Sequence, residues 1–113
     1  MSGGQHSLQV PGYLTLQNDA TPPLVTERDH SVREVFAVLG EAPVGGPVRL
    51  RVKADGQLWC ELLIPEGQTA SESQDGFGLP ALPIGTEMNV DIVTIPQSGS
   101  SKPGKDLTVV IRL

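Results

Sequence analysis

Between Pro47 and Ile64 apolar side chains recur at every second position on both sides of an Asp55-Gly56 pair. Val48, Leu50 and Val52 are offset against Arg49, Arg51 and Lys53; Leu58, Cys60, Leu62 and Ile64 are offset against Trp59, Glu61 and Leu63. A period of two places successive side chains on opposite faces, which a strand does and a helix cannot. The segment therefore reads as an antiparallel hairpin with one buried face. Asp-Gly ordinarily closes a two-residue type I′ loop. That loop would pair Ala54 with Gln57, set Val52 opposite Trp59 and Leu50 opposite Glu61, and mix the two faces. A slip of one residue, with a type I turn and Gly56 left-handed in a G1 bulge, pairs Lys53 with Gln57 and keeps one face apolar. Val52 then faces Leu58, Leu50 faces Cys60 and Val48 faces Leu62, while Arg49 meets Glu61 outside. This register is the expectation. It buries Cys60 and turns Trp59 outward beside Arg51.

Other segments carry the same signal in shorter runs. Tyr13 to Gln17 reads as a strand with Leu14 and Leu16 inward, ended by Asn18-Asp19 and Pro22-Pro23. Val32 to Leu39 also fits a helical stripe through Val32, Val35, Phe36 and Leu39, but Gly40 and Pro43 bound a run rich in Val and Phe, so a strand is expected. Gln68 to Ser73 suits a polar edge strand. Thr86 to Ile95 sets Met88, Val90 and Ile92 against Glu87, Asn89 and Asp91, the acids facing out. Residues 97–105 form a flexible tip, and a last strand turns Leu107, Val109, Ile111 and Leu113 inward. The 13 Gly and 10 Pro make up a fifth of the 113 residues, against about 12% in average proteins. Most fall between the alternating runs, where they act as turns. The expected fold is all-β, an antiparallel β-sandwich of about seven short strands, Greek-key or jelly-roll-like. Residues 1–9, opening on Ser2-Gly3-Gly4, read as a flexible leader and residues 10–113 as a single sandwich domain.

Charge and composition remove several function classes. The net charge is −5, with no basic cluster to displace counterions, so no nucleic-acid partner is expected. The apolar runs are too short for a membrane span, and no signal peptide is expected. Cys60 is the single cysteine, which rules out an internal disulfide and a cysteine-rich zinc site. Glu27-x-x-His30 beside Asp29 has metal-ligand residue types, but reads as a charged surface loop. Asp29-His30-Ser31 has triad residue types, yet sequence neighbours cannot take up triad geometry. Gly76-Phe77-Gly78-Leu79-Pro80 lacks the lysine and helix of a phosphate loop. Glu61 and Asp91 carry no mark of a catalytic pair. No catalytic residue, metal site or cofactor is expected, and the chain reads as non-enzymatic. The candidate binding surface is the outer patch of Trp59, Arg51 and Leu63, joined by the aromatics Phe77 and Tyr13. A protein contact is preferred there to a cell-surface glycan, because four aromatic residues are few for a lectin. The irregular stretch 65–85 is a candidate interface loop.

Several segments together resemble a known family. They run from Val10-Pro11-Gly12-Tyr13-Leu14-Thr15-Leu16 through Val35-Phe36-Ala37-Val38-Leu39-Gly40-Glu41-Ala42-Pro43-Val44-Gly45 to Val48-Arg49-Leu50-Arg51-Val52-Lys53-Ala54-Asp55-Gly56. Leu63-Ile64-Pro65-Glu66-Gly67 and Pro103-Gly104-Lys105-Asp106-Leu107-Thr108-Val109 complete the order. This order of turns and alternation is similar to the small β-sandwich modules of tail, baseplate and fibre proteins in tailed bacteriophages and prophage elements. The resemblance implies a structural or attachment piece without enzymatic activity, often trimeric, made in the bacterial cytoplasm and built into a virion or prophage-encoded particle. Its implied partners are other copies of itself or other tail and baseplate proteins. No family binding residue carries over, because such modules share no fixed ligand motif present here. The alternative reading is a carbohydrate-binding or adhesion sandwich of a bacterial surface protein.

Overall fold

The computed structural model describes residues 5–21, 23–27, 29, 31–76, 79–97 and 99–112. Among these the chain forms eight strands and no α-helix: β1 (Gln5–Tyr13), β2 (Leu24–Val25), β3 (Glu34–Val38), β4 (Val48–Ala54), β5 (Gln57–Ile64), β6 (Gln74–Asp75), β7 (Glu87–Thr94) and β8 (Lys105–Arg112). One sheet runs β1-β8-β3-β6 and the other β2-β7-β4-β5. All pairs are antiparallel, and the two sheets make a β-sandwich. Every connection except the β4–β5 hairpin switches sheets. Each switch needs a corner, which gives the high Gly and Pro content its structural reason.

The alternating apolar positions meet between the layers. Leu8 and Val10 of β1, Val35 and Ala37 of β3, and Leu107, Val109 and Ile111 of β8 form one inner face. Val48, Leu50 and Val52 of β4, Leu62 and Ile64 of β5, and Met88, Val90 and Ile92 of β7 form the other. Residues 32–39 contain a strand, as the bounding Gly and Pro imply, and no helix.

Several segments differ from the sequence expectation. Residues 5–9 belong to β1, because Leu8 and Val10 already alternate and pair with Val109 and Leu107; residues 1–4 of the expected leader lie outside the described residues. Tyr13 ends β1, and residues 14–17 form no strand. Leu14 is buried, but Leu16 is exposed, because here the chain crosses between sheets. The Leu14 amide donates to the Gly104 carbonyl at 3.1 Å on one side, and Gln17 exchanges backbone hydrogen bonds with Ile92 on the other. The edge strand expected at 68–73 is displaced to β6, with only an isolated Ala70–Val38 bridge before it. Within 97–105, Lys102 and Val44 exchange two backbone hydrogen bonds at 2.9 Å. Leu113 lies outside the described residues.

Candidate functional site

The hairpin decides where the expected binding residues point. Asp55 and Gly56 both have positive φ, 51° and 79°, the conformation of a type I′ turn. Ala54 therefore pairs with Gln57 and Lys53 with Leu58. The ladder then slips, so that Val52 pairs with Cys60, Leu50 with Leu62 and Val48 with Ile64. The extra residue needed to keep one face apolar is thus inserted at Trp59, two positions beyond the turn, and not at Gly56. This corrects the expected register, and with it the side of two large residues. Trp59 turns into the core at 8% exposure, while Leu58 is 56% exposed. A tryptophan has the most apolar area to remove from water, and its one polar atom finds a partner: Nε1 donates to the Pro80 carbonyl at 3.1 Å. Trp59 is no outward platform.

The remaining candidates do not converge on one site. Arg51 lies on the outer face of its sheet, in register between Glu61 of β5 and Asp91 of β7. Leu63 is exposed beside Arg49 on the same face. Tyr13 belongs to the other sheet, where the β1–β8 register slips between Val10 and Tyr13. Gly12 at φ 81° donates its amide to Asp106 Oδ1 at 2.8 Å in that bulge, which re-aims the following side chain. The Tyr13 ring is 58% exposed, with the Lys105 ammonium 5.3 Å from its centroid. Phe77 lies outside the described residues.

Alternation places Asp91 on the outer face, yet it is only 5% exposed. The crossover after β1 covers it: the Ala20 amide donates to the Val90 carbonyl at 2.7 Å, and the Asp19 amide to Asp91 Oδ1 at 2.8 Å. The Lys53 ammonium completes the cluster, 2.5 Å from Asp19 Oδ1 and 3.0 Å from Asp91 Oδ1. Its hydrogen bonds to Asp19 and then Asp91 hold its pKa above the ordinary lysine value. A lysine gripped in this way stays protonated and is neither base nor nucleophile. The cluster instead fastens the crossover to the sheet. Cys60 is equally unreactive, since burial pushes its thiol up to about 11. Asp29, in the stretch expected to be a charged surface loop, accepts the Ile84 amide at 2.7 Å, while His30 lies outside the described residues.

A recess lies along the open seam between β5, the edge of one sheet, and the edge segment of the other. Glu61, Leu62, Leu63, Pro65, Glu72 and Gln74 line this groove of about 300 Å³. Nothing in the local sequence singles it out, because it exists only where two sheet edges face each other. No protein-family model matches the sequence, and no curated protein matches it significantly.

Proposed function

We propose that this chain is a non-enzymatic structural or attachment module of a phage-like particle, and that it acts through protein contacts. The particle context rests on the resemblance in turn order to tail, baseplate and fibre modules. The contact role rests on one observation: the eight-residue edge strand β5 carries exposed Leu58 and Leu63 along an edge bonded on one side only. Apolar side chains beside an open ladder favour association with another chain. The partners in this reading are further copies of the chain, as a trimer, or other tail and baseplate proteins. The chain is made in the cytoplasm and assembled into the particle.

Burial of Trp59 weighs against a glycan site, since it withdraws the best stacking surface. The carbohydrate-binding reading retains the exposed Tyr13 ring beside Lys105. Three observations separate the readings. Tail or capsid genes beside its reading frame, with a concentration-independent trimer in sedimentation, support the particle module. Glycan-array binding lost in Tyr13→Ala, from a chain encoded away from such genes, overturns it.

A further inference from the structure

The groove on β5 is built from consecutive residues, and this determines what it can receive. Successive side chains of a strand point to opposite faces. Glu61, Leu62 and Leu63 therefore line one groove only if that groove sees the strand edge-on, along its backbone. Glu72 and Gln74 form the opposite wall, and Pro65 closes one end. What is presented is a row of backbone donors and acceptors. Among the described residues, no backbone–backbone hydrogen bond outside the ladders involves a residue of β5, and the Glu61 carbonyl accepts only a long contact from the Cys60 thiol at 3.9 Å.

Two of the other three sheet edges are too short to offer a ladder, and the third is regular only from Gln5 to Val10. β2 and β6 are two residues long, and β1 is interrupted by Pro11 and its bulge. The span of β5 contains no Pro and no Lys, and beyond the Trp59 bulge it pairs regularly from Cys60 to Ile64. Proteins ordinarily protect a long edge with such residues. This one is open.

The charge of the groove selects its occupant. Glu61 and Glu72 line it, no Lys or Arg does, and among the described residues neither glutamate is in an ion pair. A second copy is a poor fit. An antiparallel β5–β5 pairing centred on residue 61 sets Glu61 against Glu61, and each copy carries a net charge of −5. We infer that β5 accepts one extended strand from a different protein, with Lys or Arg placed between Glu61 and Glu72 and an apolar residue over Leu63 and Pro65. Ladder hydrogen bonds would supply the affinity and the two carboxylates the choice of partner. The inference deepens the contact-module reading and rests on it for the partner being a protein.

The test is amide NMR of the full chain titrated with an octapeptide alternating Lys and Val, against its Glu-Val counterpart. The expected result is shifts and slowed hydrogen exchange in β5 and residues 72–74 with Lys-Val alone. The Glu61→Lys, Glu72→Lys double variant changes two exposed residues and should leave the amide spectrum folded. Reversing both charges should weaken binding about tenfold. Equal binding of both peptides, or shifts confined to another surface, overturns the inference. So does concentration-dependent broadening of β5 amides without peptide, which assigns the edge to a second copy. Failure of the peptide while the chain still co-purifies with particles refutes this partner chemistry and leaves the module reading standing.

Discussion

Replacing Trp59 with alanine tests the feature on which sequence and structure part. On an outer face, truncating an exposed side chain changes stability by within about 0.5 kcal/mol. In the structure the indole is 8% exposed and packed into the core cluster. Aromatic-to-alanine changes in cores cost about 3–5 kcal/mol. Because β5 is an edge strand, where collapse around the cavity is easier, about 3 kcal/mol is expected. Trp59→Phe separates packing from the polar contact. It keeps most of the apolar area and loses the bond to the Pro80 carbonyl, so it should cost about 1 kcal/mol. Urea unfolding followed by far-UV circular dichroism measures both, with an unchanged m-value showing that only stability moved. Trp59 is also the only tryptophan, so native fluorescence reports this site alone. Its emission should be blue-shifted and shielded from acrylamide relative to the unfolded chain. A loss under about 0.5 kcal/mol for Trp59→Ala, with quenching as fast as in urea, would refute the inward bulge.

Leu50→Ala should cost about 3–4 kcal/mol in the same assay, because Leu50 is fully buried opposite Leu62. Leu58→Ala should change stability by less than about 0.5 kcal/mol, whereas a register with Leu58 opposite Val52 makes the two losses comparable. Gly56→Ala meets no atom within 4 Å, so its expected cost of about 1–2 kcal/mol is left-handed backbone strain alone. Cys60 has a folded pKa of about 11 against an ordinary value of 9.0. The unfolded chain therefore releases this proton first, and stability should fall as pH rises from 9 to 11. Cys60→Ala should flatten that part of the profile, and native Cys60 should resist alkylation until urea exposes it. Lys53 adds a loss further into alkali. Its folded pKa is raised, so its stabilisation is complete below 10.5 and disappears as pH climbs through the raised value.

Much of the fold is legible in local pattern. The alternation of Val48, Leu50, Val52 and of Met88, Val90, Ile92 marks strands and their inward faces, because a period of two allows no other regular structure. The β1 segment carries the same signal in Leu8 and Val10, close behind the turn-forming Ser2-Gly3-Gly4 of the sequence. The candidate site was not legible. Glu61, Leu63, Glu72 and Gln74 carry no common motif and come together only through the meeting of two sheet edges. Asp91 fits the outward half of an alternating strand in sequence, and only the crossover carrying Asp19 covers it.

The hairpin shows where the division falls. Sequence alone determined that Pro47 to Ile64 is two strands about Asp55-Gly56, with Val48, Leu50, Val52, Leu62 and Ile64 on one face. It also determined that a residue must be inserted to keep that face apolar. Where the insertion falls is not a local matter. A bulge at Gly56 and a bulge at Trp59 give the same parity for the rest of the ladder. They differ in whether the indole or Leu58 is removed from water. The tertiary structure decided for Trp59, because the second sheet and the Pro80 segment provide a volume and a carbonyl that fit the indole.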